Sequence, residues 1–185
     1  MRNVKWGLIA LSVITTLVLP SGPIHAGQDD GNVVKWKQMV GFAISPGSTI
    51  PGSTMIGGVQ GSPFPWTVYD GNAWVHLNSG QVKFQVKGLV LASSTPLAVA
   101  GTIGLATKVK GTLVCNGLSN VTSALVDTPA IPLDPQGNAS YVGNVAVPTD
   151  CFLTPDKLAF VIRVAEAGNP VLVDLWIAVG VVRTP

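Results

Sequence analysis

From Gly27 onward this chain contains no segment that joins a helical hydrophobic period to helix caps; its apolar residues recur at every second position, in short runs. Glycine and proline turns separate the runs, which disfavours long helices and favours short strands. The runs are 64–69, 73–77, 82–91, about 103–115, 122–126, 138–147, 157–165 and 171–182, and a further strand is expected within 33–44 from the Lys35-Trp36-Lys37 alternation. About eight short strands punctuated in this way predict an all-β fold, an antiparallel β-sandwich or barrel.

Pairing can be read further in two places. Asp70-Gly71 lies between apolar runs and predicts a two-residue type I′ hairpin, with Val68 opposite Ala73 and Trp66 opposite Val75. A three-residue loop would instead group Trp66, Val68, Trp74 and His76; the two-residue loop is preferred because it gives one core face across three strands. The turn at Asn78-Ser79-Gly80 then brings Leu77, Val75 and Ala73 to Val82, Phe84 and Val86. The opposite face carries Tyr69, Trp74, His76, Lys83, Gln85 and Lys87. Farther on, Leu158, Phe160, Ile162 and Val164 line one face of a strand. The nearly continuous apolar run 171–182, interrupted by Asp174, reads as a strand covered on both sides with Trp176 in the core. Residues 45–65 hold a small duplication, Pro46-Gly47-Ser48-Thr49 and Pro51-Gly52-Ser53-Thr54, and read as a linker or wrapping loop, with a ligand-gripping loop as the alternative.

The N-terminus has the form of an export signal. Met1 to Lys5 is a short basic region, Trp6 to Leu19 an apolar stretch too short to span a bilayer comfortably, and Ile24-His25-Ala26 a cleavage tripeptide. The expected organisation is a signal peptide over 1–26, an N-terminal arm with a Gly/Pro/Ser-rich loop over 27–63, and a β domain over 64–185. The chain from Gly27 is long enough for one domain with a real core. It is expected to be extracellular or periplasmic, with no membrane span after cleavage. Cys115 and Cys151 are the only cysteines, and behind such a signal they read as one disulfide. On the chain-entropy estimate that loop stabilises the fold by roughly 4 kcal/mol.

Charge excludes one class of function. The eleven basic and nine acidic residues fall to nine of each once Arg2 and Lys5 leave with the signal. A neutral chain without a basic stripe has no electrostatic footprint for nucleic acid. Charged residues make up 11% of the sequence, well below the roughly 25% usual for soluble proteins, as suits a compact domain or one with an interface to bury.

Catalytic constellations are sparse. With His25 in the signal, His76 is the only remaining histidine, so a histidine-based zinc site is excluded and a Ser-His-Asp arrangement would have to be built on His76. There is no His-Glu-x-x-His, nucleophile elbow or phosphate-binding loop. Asp150, Asp156 and Glu166 show no spacing that pairs carboxylates, and Asp29-Asp30-Gly31 alone is no calcium loop. No metal and no cofactor is expected. Tyr69, Trp74, His76 and Lys83 form the candidate ligand-contact face, since aromatic rings with polar handles suit a glycan or a protein partner. The competing reading covers that face with the Ser45-to-Pro65 loop or the Trp36 region. Asn120 and Asn138 match the glycosylation pattern.

Phe64-Pro65-Trp66, Val86-Lys87-Gly88-Leu89-Val90-Leu91, Cys115, Gly137-Asn138-Ala139, Pro148-Thr149-Asp150-Cys151 and Trp176-Ile177-Ala178 follow one another in an order that resembles a group of small secreted bacterial proteins without assigned function. The likeness covers roughly residues 64 to 182. It implies export and the cysteine pair, and it implies no activity, so no catalytic residue follows from it.

The sequence thus points to a secreted, non-enzymatic binding or structural module acting on an extracellular glycan or protein, with oligomeric state left open. Its alternatives are an extracellular hydrolase with a pocket around His76 and a self-assembling surface or matrix protein. Intact mass before and after thiol alkylation without reductant is expected to show no labelled cysteine; a gain of two labels would refute the disulfide.

Overall fold

The computed structural model describes residues 32–43, 54–93, 99–117 and 123–184. The expected signal peptide, nearly all of the Pro-Gly-Ser-Thr duplication, and Asn120 lie outside the described residues. Within them the chain forms β1 (Val33–Gly41), β2 (Met55–Ile56), β3 (Val59–Gln60), β4 (Trp66–Thr67), β5 (Asp70–His76), β6 (Gln81–Lys87) and β7 (Val90–Leu91). There follow β8 (Ala106–Val114), β9 (Leu125–Asp127), β10 (Ile131–Pro132), β11 (Ala139–Asn144), a one-turn helix α1 (Asp150–Leu153), β12 (Ala159–Ala167) and β13 (Trp176–Thr184). Two 3-10 turns, Pro155–Lys157 and Pro170–Leu172, complete the set.

Nine strands make one antiparallel sheet in the order β10-β8-β12-β13-β1-β5-β6-β11, with β9 also paired to β8. The sheet curls into a half-barrel whose two ends approach each other. Those ends, β10 and β11, are consecutive in the chain, and residues 133–138 join them. There the Asp134 amide donates to the Asn138 carbonyl at 3.1 Å, and the Asn138 amide donates back to Asp134 Oδ1 at 2.8 Å. Asn138 also spends its side chain here, donating to Asp134 Oδ2 and accepting from the Gly88 amide. A tied loop, not a ladder, closes the seam.

The concave side is packed with aromatic rings. Trp36 of β1 lies 5.6 Å from Phe160 of β12, Phe160 lies 5.8 Å from Phe84 of β6, and Phe84 lies 6.0 Å from Tyr141 of β11. Such ring pairs contribute beyond their buried area. Gly111 of β8 leaves the space for them, since a Cβ there would sit 2.6 Å from Phe160 Cζ and 2.7 Å from the Phe84 ring. Leu158, Phe160, Ile162 and Val164 are all buried, as their alternation predicts, and so is Trp176. The Cys115–Cys151 disulfide is present, joining the end of β8 to α1.

Four expectations change. Asp70-Gly71 is not a turn: neither residue has the positive φ that type I′ requires, and both begin β5. Gly71 is small for another reason, because a Cβ there would meet Met39 Cβ at 2.8 Å. β4 therefore pairs with β7, Trp66 opposite Leu91, and not with β5. The next hairpin does form with its core residues on one face, but two residues out of the expected register: Val75 lies opposite Val82, Ala73 opposite Phe84 and Gly71 opposite Val86, and Leu77 falls in the turn.

Second, the Gly/Pro-rich segment is not wholly loop. Gly57 (φ 54°) and Gly58 (φ 82°) make a two-residue turn of the primed kind between β2 and β3, with Ile56 opposite Val59. Third, the boundary at residue 64 does not set an arm apart from the sheet, for β1 is an interior strand between β13 and β5. Fourth, the run 171–182 is not one strand. Asn169 caps Pro170–Leu172 by accepting from the Val171 amide, Asp174 turns the chain at φ 69°, and the sheet resumes only at Trp176. Val171 is left 74% exposed.

Gly111→Ala is expected to destabilise the fold by about 1–3 kcal/mol through overpacking between two rings. Urea denaturation measures it, and an unchanged midpoint would show that the rings have room to yield.

Candidate functional site

The candidate contact face is only partly assembled. Trp74 stands directly opposite Lys83 across β5 and β6, flanked on its other side by Lys35 of β1, and Val142 of β11 extends the row beyond Lys83. His76 lies two residues on, on the same face, but its Nδ1 accepts the Ser79 amide at 3.3 Å and so anchors the turn. Tyr69 is elsewhere. It precedes β5 at a bend, 89% exposed, five residues from Trp74, or roughly 16 Å of extended chain. Trp74 itself is half-buried, and Trp36 does not cover it, being on the concave side.

The acids fall apart as well. Glu166 pairs with Lys108 at 2.6 Å and accepts from Thr107, while Asp150 begins α1 and Asp156 sits in a 3-10 turn. Among the described residues no group of three or more His, Cys, Asp or Glu side chains could hold a metal ion, and no helix is long and apolar enough to cross a membrane.

Two features that the sequence reading passed over are better built. The first is an alternating charge cluster on the convex side. Arg163 of β12, only 8% exposed, donates to Asp127 at 3.2 Å and to the Asp174 carboxylate at 3.1 Å. Lys110 of β8 bridges the same two acids at 2.8 and 2.7 Å, and Thr112 donates to Asp127 at 2.6 Å. Two cations and two anions leave no net buried charge, which is what makes a buried Arg tolerable. Burial alone would raise the Asp127 carboxyl. Hydrogen bonds from Lys110 and Thr112, with the charges of Arg163 and Lys110, outweigh it and hold that carboxyl below its ordinary value. In sequence the signal was available: a single Arg inside the β12 apolar run and a single Asp inside the last one.

The cluster also fixes a loop. Arg163 Nε donates to the Asp174 carbonyl at 2.9 Å, the Asp174 amide donates to Val164, and the Val164 amide donates to Leu175. Held this way, the 3-10 turn and its sequel carry Leu172 and Leu175 out of the sheet and over the end of β12.

There they help wall the second feature, an apolar pocket of about 280 Å³. Val164, Ile177 and Ala106 line it from the main sheet, Trp66 and Leu91 from the β4–β7 pair, and Gly104 from the connection after β7. Phe64, Val99 and Leu105 border it while remaining exposed, Phe64 by 43% and Leu105 by 55%. Ser62 is the one lining residue with a hydroxyl, and it is buried at 2% exposure. The walls come from six separate stretches of chain, so no local pattern in the sequence could have joined them.

No family model, curated protein or solved structure matches the chain.

Because the folded state holds the Asp127 carboxyl low, it binds that proton less readily than the unfolded chain does. Its contribution is complete above about pH 4, the unfolded value, and is lost as pH falls through the lower folded value. Asp127→Asn is therefore expected to lower stability at pH 7 and to flatten the loss between pH 5 and pH 2 in denaturant titrations. Some loss will remain, since Asn138 and Lys108 also hold Asp134 and Glu166 low. An equally steep acid profile in the variant would show that Asp127 is not a principal acid sensor.

Proposed function

We propose that this protein is an exported, non-catalytic binding module that takes an apolar ligand into the pocket between Val164, Ile177 and Leu105. The observation that carries this is the pocket's chemistry: a preformed concavity walled almost wholly by hydrocarbon, with large apolar side chains left exposed at its rim. Sites for small ligands are commonly of this kind, concave, mostly apolar and few per protein. Exposed Phe and Leu in a sparsely charged protein cost solubility, and ligand entry would remove that area from water.

Export fits the same picture. The leader has the order of a signal peptide, and the disulfide belongs to an oxidising compartment, so the extracellular space or periplasm is the proposed location. A second reading keeps the opposite face. The Lys35–Trp74–Lys83–Val142 row offers an aromatic body between cations, which suits an extracellular glycan or protein partner. A hydrolase centred on His76 gains least, because its Nδ1 is occupied by the turn and the apolar pocket is lined by neither histidine nor acid among the described residues.

A thermal-shift series with small alkylbenzenes and medium-chain ketones tests the proposal. A ligand at about 100 times its dissociation constant adds roughly 2.7 kcal/mol, a readily measured shift. Val164→Phe, which fills the pocket, is expected to abolish the shift and Trp74→Ala to leave it intact. Silence across the series, or loss of the shift in Trp74→Ala alone, would sink the pocket reading.

A further inference from the structure

The pocket holds one polar side chain whose bonding is incomplete. Ser62 Oγ accepts the Trp66 Nε1 hydrogen at 3.1 Å and the Phe64 amide hydrogen at 3.1 Å. A hydroxyl has two acceptor positions and one hydrogen to give. Both acceptor positions are thus filled, and among the described residues the Ser62 hydroxyl hydrogen meets no acceptor. The backbone allows little adjustment, because the Ser62 amide donates to the Trp176 carbonyl at 3.0 Å and Gly61 bridges to Trp176. Trp66, the other lining residue with a polar side-chain hydrogen, has spent it on Ser62 itself. A buried hydroxyl hydrogen without an acceptor is costly, and its natural partner here is an atom that comes from outside.

Resting on the binding reading above, we infer that the ligand is a compact apolar molecule carrying a hydrogen-bond acceptor, a carbonyl or ether oxygen, which Ser62 meets with its hydroxyl hydrogen. The volume sets the size. A cavity of 150 Å³ holds benzene, so about 280 Å³ holds roughly a dozen non-hydrogen atoms. Sugars are excluded, since their many hydroxyls would find one partner and walls of hydrocarbon. A group that can only donate is also disfavoured, because the Ser62 lone pairs already receive Trp66 and Phe64.

Two probes of matched shape separate this inference from the reading it rests on. Propylbenzene and propiophenone differ in an acceptor oxygen. Titrated against the protein by calorimetry, both are expected to bind. Ser62→Ala is expected to weaken propiophenone by about 2- to 10-fold, the range of one hydrogen bond, while leaving propylbenzene unchanged or tighter. The propylbenzene affinity also reports whether the variant still forms the pocket. Infrared spectroscopy of propiophenone bound to the unaltered protein needs no variant: its carbonyl stretch is expected below the value in hexane. A hexane-like stretch, or equal losses of both probes in a folded Ser62→Ala, overturns the role of Ser62 and leaves the apolar pocket standing. Failure of both probes to bind the unaltered protein overturns the pocket reading itself, and this inference with it.

Discussion

β1 pairs with β13 on one side and β5 on the other, so the ladder is continuous only because a strand from the beginning of the fold meets the strand at its end. Take β1 away and the sheet separates into a group holding β8, β12 and β13 and a group holding β5, β6 and β11. Bringing residues so distant together costs chain entropy before any contact repays it. The repayment is visible in the core, where Trp36 of β1 meets Phe160 of one group, and Phe160 meets Phe84 of the other. The aromatic cluster and the interior position of β1 are two aspects of one constraint.

How much of this was legible in the sequence depended on the range of the deciding interaction. The alternation of Leu158, Phe160, Ile162 and Val164 marked a core face correctly because strand period is local. The presence of a turn between β5 and β6 was legible for the same reason, but its register, two residues from the expected one, was not. Asp70-Gly71 misled because a glycine has more than one use: there it admits Met39 from a strand some thirty residues earlier in the chain, a contact that no window around the dipeptide contains. Gly57-Gly58 was the true primed turn, hidden by a composition that suggested only loop. Of the proposed contact face, Trp74, His76 and Lys83 share a side because they obey the β5–β6 register, whereas Tyr69 lies beyond the strand's start and is set by the bend.

The pocket and the charge cluster belong together mechanically. Arg163 and Val164 are neighbours on β12, and their side chains go to opposite faces of the sheet, Arg163 into the ion cluster and Val164 into the pocket wall. The same two residues hold the Asp174–Leu175 backbone. Asp174 adopts a left-handed conformation that few residues other than glycine tolerate, and Asp is one of them. A polar network on one side of a strand thereby positions hydrocarbon on the other. This is why an apolar run that looked like uninterrupted strand instead supplies Leu172 and Leu175 to a cavity.

The disulfide encloses a particular part of the molecule. Between Cys115 and Cys151 lie β9, β10, the loop that closes the seam, and β11, which is to say both margins of the sheet and nothing of its centre. The bond fastens the start of that excursion to its return, beside the point where β8 and β12 pair. Reduction would consequently not loosen the protein evenly. It would free the return of that excursion at α1, while β11 keeps its pairing with β6 and β10 its pairing with β8. The bond therefore acts mainly on the unfolded chain, shortening the reach of the segment that must find both margins, and not as the clasp that holds those margins in place.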